Sequence, residues 1–193
     1  MDKIPKILLT FIFVCLILIA AIAGIFIYNS YKASNAPVPN EKELTAYING
    51  HYTENPEILK TAELEDKIGI LFKEKNEENS IGVAILHRTN SGSGWYISGS
   101  SYGDYVGNWI MVSSSTSGNE SYFYLASINC NPRIDSYSYE YISPDNAACE
   151  RVTEKVEDRT FIKMYEGGIA GEFIYYDKDG NDISQELWET GII

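Results

Sequence analysis

Apolar and polar positions divide this chain into two unequal parts. From Ile7 to Tyr28 the run "ILLTFIFVCLILIAAIAGIFIY" contains no charged side chain. As a helix it would reach about 33 Å, enough for a hydrocarbon core of about 30 Å. A cleaved signal carries a shorter apolar run, and here the candidate cleavage stretch "AAIA", Ala20 to Ala23, is followed by Gly24, Ile25, Phe26 and Ile27. The pattern therefore predicts a transmembrane anchor over 7–28, a cytoplasmic stub over 1–6 and a spacer over 29–40 broken by Pro37 and Pro39. Lys3 and Lys6 precede the span and Lys32 alone follows it closely. That imbalance places the amino terminus in the cytoplasm and everything beyond the span outside, in a single-pass arrangement at the cell membrane.

Beyond the spacer the periodicity changes. Asn40 is a candidate N-cap, Glu41 and Glu43 suit the first turn of a helix, and Leu44, Tyr47 and Ile48 share one helical face before Gly50. The runs "KIGILFKE" and "SIGVAILHR" read as a hairpin across a polar turn. "WYISGSSYG", "GNWIMVSSS" and "SYFYLASIN" follow at the short spacing of an antiparallel meander. In "YFYLASI" the partial alternation predicts one well-buried face and one partly covered. "RVTEKVEDRTFIKMYEG" fits either a charged helix or a strand pair, and its β-branched Val152, Thr153, Val156 and Thr160 favour strands. "GEFIYYDKDGNDIS" reads as a closing hairpin, and the tail as at most a helical turn. The fold class expected is α+β, with the extracytoplasmic domain over 41–193 built on one mainly antiparallel sheet carrying a short helix.

The stretch Lys67 to Gly103, with glycine near the start of each of two hairpin strands and an aromatic strand ending in Tyr102-Gly103, resembles the extracytoplasmic β-rich domains of small single-span membrane proteins of Gram-positive bacteria. That resemblance implies a location and a fold. The family has no assigned activity, so it supplies no site residue, and the cysteines at 130 and 149 are not a feature of it.

Charge sharpens the placement. The full chain carries a formal net charge of −12, and without the basic amino-terminal segment the remainder is more acidic still. Such a domain is repelled by phosphate backbones, which argues against nucleic acid as a partner. Cys15 lies in the apolar run, leaving Cys130 and Cys149. In an oxidising compartment these would close a loop of roughly 18 residues with a disulfide worth about 3 kcal/mol; two unpaired thiols are the alternative.

Candidate chemistry is thin. "GSSYG", Gly99 to Gly103, satisfies the letters of a nucleophile elbow, but no helix pattern follows and both histidines, His51 and His87, lie upstream; the glycines read as turn residues. Two histidines without a ligand spacing give zinc no footing. Carboxylates abound, as at Glu63, Glu65 and Asp66 or at Glu154, Glu157 and Asp158, and such groups usually form a solvated face. "DKDGNDIS" resembles a calcium loop, yet placing Gly180 at position 6 puts Tyr175 at position 1, so it reads as a tight turn. No catalytic residue, cofactor or metal site is assigned. The 15 tyrosines stand out: "YSYEY" sets Tyr137, Tyr139 and Tyr141 on one strand face, either an aromatic binding platform or core cover, with core cover favoured. The function expected is a non-catalytic binding or interaction domain for a protein or an envelope polymer. The alternatives are an extracytoplasmic hydrolase using paired carboxylates such as Glu63 or Asp104, and a structural subunit of a membrane complex.

Overall fold

A computed structural model describes residues 6–34, 37–76, 80–89, 94–104, 110–117, 120–145 and 148–189, with the side chains of 6–13, 29–34, 102–104 and 117 outside the description. The chain separates into two compact units, one formed by the residues up to Val38 with Arg88–Tyr96, the other by Pro39–His87 with Ile97–Ile193.

In the first unit, helix α1 runs Lys6–Ser34. Its described side chains, 14–28, cover about 22 Å at 1.5 Å per residue, and among the described residues no helix is long and apolar enough to cross a membrane. Trp95 donates its indole N–H to the Pro37 carbonyl at 3.1 Å, and the Arg88 guanidinium lies 4.9 Å from the Trp95 ring. Close by, Thr89 N–H donates to the Gly94 carbonyl at 2.9 Å.

The second unit opens with α2, Glu41–Ile48, which forms where the capping signal places it. Asn40 Oδ1 accepts from Glu43 N at 3.1 Å and Glu43 Oε2 accepts from Asn40 N at 2.8 Å, a reciprocal capping box. Leu44 and Ile48 are the buried residues of the helix, which packs against β1, Pro56–Leu64. That strand has no counterpart in the sequence reading: its proline and interspersed charges mask it.

The described strands form three sheets rather than one. β1, β2 (Lys67–Glu74), β3 (Ser80–Arg88) and β4 (Trp95–Asp104) lie side by side in chain order. Gly99 and Gly103 therefore sit inside a strand and not at turns. β5 (Met111–Ser117) and β6 (Glu120–Ser127) form a hairpin whose partner on the far side is β9, Phe161–Glu166. β7 (Ser136–Ile142) lies between β10 (Gly168–Tyr176) and β8 (Cys149–Lys155). The stretch read as helix or strand pair is thus two strands, each sent to a different sheet. Residues 107–109, which open the run "GNWIMVSSS" expected as a strand, and the tail at 190–193 fall outside the described residues.

β6 explains the packing. Tyr122, Tyr124 and Ala126 face a cluster with Leu71, Ile81, Val83 and Ile85 from the four-stranded sheet and Ile162 and Met164 from β9. Phe123 and Leu125 point the other way, into a cluster with Tyr137, Tyr139, Tyr175, Ile183 and Leu187. Both faces of β6 are buried, so the expected half-covered strand is a core strand of a middle sheet, and its partial alternation reflects two apolar environments.

Close cross-strand packing sets one requirement on sequence. Gly82 pairs with Phe72, and a Cβ on Gly82 would stand 2.1 Å from Phe72 Cζ. The ring lies over the space a side chain would take. Gly82→Ala is therefore expected to lower unfolding stability by about 1–3 kcal/mol, the usual cost of overpacking, read from denaturant midpoints; an unchanged midpoint would show that Phe72 can yield.

Candidate functional site

The tyrosine face of "YSYEY" turns inward. Tyr137 and Tyr139 on β7 are buried and Tyr141 is half-buried, so their rings are not offered to solvent as a platform. Their hydroxyls converge with that of Tyr165 from β9 on one carboxylate, Glu154 of β8, in the case of Tyr137 and Tyr139. Tyr139 Oη donates to Oε1 at 2.6 Å, Tyr137 Oη to Oε2 at 3.1 Å, and Tyr165 Oη lies 2.7 and 2.9 Å from the two oxygens. Lys163 Nζ adds an ion pair at 2.6 Å to Oε2. The Glu154 side chain retains 17% exposure. Burial pushes its carboxyl upward, but the hydrogen bonds from Lys163, Tyr139 and Tyr165 outweigh this and hold it below the usual carboxylate range. Burial and the charge of Glu154 push all three phenols well above the ordinary tyrosine value.

This cage has little chemistry to offer a substrate. Its two carboxylate oxygens already accept from three hydroxyls and an ammonium, the full capacity of the group. Sequence reasoning placed Glu154 on a solvated face. The one signal against that was its position: Val152, Glu154 and Val156 alternate along β8 and its continuation, with the valines packed against the core.

The aromatic system continues from the cage to the surface. Phe173 of β10 stacks 5.9 Å from Tyr137 and 5.5 Å from Tyr139, and lies 6.1 Å from Tyr175. It shares the inward face of β10 with Ile169 and Tyr175, and the β10–β7 register shifts by two residues between Ala170 and Ile174 without changing that face. Gly171 takes φ +70° there, with the Glu140 carboxyl about 2.9 Å from where a Cβ would be, a bulge only glycine accommodates comfortably.

Past Tyr176 the acidic run is a turn. Asp177 Oδ1 accepts from the Asp179 and Asn181 backbone N–H groups, each at 2.9 Å, and Gly180 adopts φ 81°. A single bridge, Tyr176 to Asp182, follows in place of a second strand. The chain then enters α3, Ser184–Glu189, which is held by Tyr175 N–H to Ser184 Oγ at 2.8 Å, by buried Leu187, and by a bidentate Arg133–Glu186 pair at 3.0 and 2.7 Å. With Leu187 anchored inward, Trp188 stands out, 72% exposed.

The result is an open groove of about 900 Å³. Ile110, Val112, Phe173 and Tyr175 supply its apolar lining, and Glu172, Asp182, Ser184, Gln185 and Trp188 complete it. Among the described residues that line it there is no lysine or arginine. The sequence reading reached only the Asp182 turn and missed Trp188, since a short amphipathic tail gives no sign of which residue the anchor leaves outside.

Elsewhere the candidate residues are dispersed. Glu63 is exposed on β1, and the side chain of Asp104, the last residue of β4, lies outside the described residues. His51 is exposed and His87 buried. Burial and the nearby Lys67 ammonium lower the His87 pKa, and its Nε2 lies 3.4 Å from Tyr122 Oη. Among the described residues no group of three or more histidine, cysteine or acidic side chains could hold a metal ion.

The expected disulfide is absent. Cys130 is a buried thiol and Cys149 an exposed one at the start of β8, opposite Ile142. The work assigned to sulfur falls to Arg159, whose guanidinium donates to the carbonyls of Asn131, Ile134 and Pro132 at 2.8, 2.6 and 3.3 Å.

No protein-family model, curated protein or solved structure matches the chain.

Glu154→Ala strips the acceptor from three phenols and an ammonium and is expected to cost on the order of 3 kcal/mol, with Glu154→Gln milder. The lowered Glu154 pKa contributes stability above the unfolded carboxylate value, about pH 4.3, and that contribution disappears as pH falls through the lower folded value. The raised tyrosine values act at the other end: their contribution is complete below about pH 10 and is lost as pH rises. Unfolding midpoints of the native chain and Glu154→Gln should therefore converge at both extremes; a constant gap across pH would contradict the cage.

Proposed function

We propose that this chain is a non-catalytic binding protein held at a bacterial cell membrane by residues 7–28, with its β-rich domain outside and its groove engaging a protein or an envelope polymer. The uncharged run and the lysine distribution support the anchor. The described side chains of α1 add to this: the consecutive Leu16, Ile17, Leu18 and Ile19, which point to all sides of the helix, are all exposed, an all-round apolar surface that lipid would cover. The resemblance to single-span Gram-positive proteins supports the bacterial surface.

One observation carries the binding reading. An exposed indole stands beside an apolar, aromatic-lined groove, the usual composition of a recognition site, while the enclosed carboxylate of Glu154 is fully engaged. A hydrolase would need a pair of carboxyls across a cleft with one enclosed enough to act as an acid. Glu172 and Asp182 share the groove, but both stand exposed.

Two variants of the full chain test the proposal in native membranes. Trp188→Ala should lose at least tenfold in retention of a cross-linked partner. Exchange of 7–28 for an unrelated apolar helix should keep retention and leave the domain open to external protease in intact cells. Retention that follows the span and ignores Trp188 would instead make the chain a structural subunit of a membrane complex.

A further inference from the structure

Resting on that binding reading, the groove also specifies the chemistry of its occupant: we propose that it takes a basic, amphipathic peptide segment of a partner protein, with an apolar side chain on Val112 and Phe173 and an adjacent lysine or arginine against Trp188, Glu172 and Asp182. The lining shows a division of labour. Ile110, Val112, Phe173 and Tyr175 are apolar or aromatic, which suits an alkyl or aromatic side chain better than a sugar ring with hydroxyls on every side. Both charged residues described in the lining are acidic, so a positive group gains two attractions there. An exposed indole is the best aromatic surface for such a group.

The same facts count against other occupants. An anionic polymer would face Glu172, Asp182 and a chain of net charge −12. A second copy would bring that same negative charge to an acidic rim. The volume, about 900 Å³, lies at the upper end of the range for small ligands, leaving room for several side chains. The groove also draws on β5 and β10, each an edge strand of its sheet, a setting in which an extended peptide can approach backbone as well as side chains.

The test uses the full chain in detergent and three probes: a blocked hexapeptide alternating lysine with leucine and phenylalanine, the same peptide with glutamate for lysine, and a neutral N-acetylated oligosaccharide. Titration calorimetry should show binding of the basic peptide alone. Affinity should fall at least tenfold in Trp188→Ala and in the Glu172→Gln, Asp182→Asn double variant, with thermal midpoints unchanged; Asp182→Asn keeps the side-chain oxygen that accepts from Ser184 N–H at 2.9 Å. Basic-peptide binding that ignores both variants would be general attraction to an acidic chain and would overturn the inference. Oligosaccharide binding lost in Trp188→Ala, with the basic peptide inert, would overturn it too while leaving the groove as the binding site. Native-partner retention insensitive to Trp188→Ala, with all three probes inert, would remove both readings.

Discussion

A carboxylate with only 17% of its side chain exposed must find partners, and in this domain that requirement organises three strands. Glu154 enters the interior from β8, and its charge is tolerated only because Tyr137 and Tyr139 from β7, with Lys163 and Tyr165 from β9, bring four donors to two oxygens. β7 and β9 belong to different sheets. The cage is therefore a polar clamp between layers that apolar contacts alone would leave free to slide. It fixes the tilt of the tyrosine rings, and those rings are what Phe173 stacks upon. The groove floor is thus the outer end of an aromatic column whose inner end is pinned by charge.

What the sequence disclosed and what it hid separate along physical lines. Local signals survived. The Asn40 and Glu43 capping box needs only four consecutive residues, and α2 begins where it says. The turn after Asp177 is closed by that residue's own side chain with a glycine at positive φ, and it forms as expected although the strand after it does not. Non-local arrangements were hidden. β1 draws its stability from pairing with β2 across a tight turn, so its own propensity, diluted by Pro56, Glu57, Lys60 and Glu63, carries little information. Period two puts the tyrosines of "YSYEY" on one shared face, but which way that face turns depends on a carboxylate in the next strand.

The cysteines teach the same lesson from the opposite direction. An even pair beyond the apolar run suggests a bridge between Cys130 and Cys149, but Cys130 is packed in the core with Phe123 and Leu125 of β6, and Cys149 lies at the margin of β8 beside Glu140. Arg159 holds the 131–134 loop by donating to three of its carbonyls, adding to the Ile134 N–H bond that the Asn131 carbonyl accepts within the turn. A guanidinium suits this task because its donors lie in a fixed plane and its charge strengthens each bond. Nothing in the local sequence around Arg159 marks it for that role, since its partners lie far upstream in the chain.

Function is distributed in a matching way. The groups with unusual protonation behaviour, Glu154 and its tyrosines, are engaged with one another and shielded, whereas the residues that face the groove, Trp188 and Glu172, make their case through exposure. Perturbed titration often marks an active site; here the perturbation arises from a saturated structural cluster, and the surface above it shows the features of recognition. Strand β10 links the two: alternation along it carries Phe173 inward to the tyrosines while Glu172, its neighbour, stands exposed at the groove. The free energy spent on burying a charge therefore secures more than the core: it holds in place the tyrosine rings on which Phe173 of the groove is stacked.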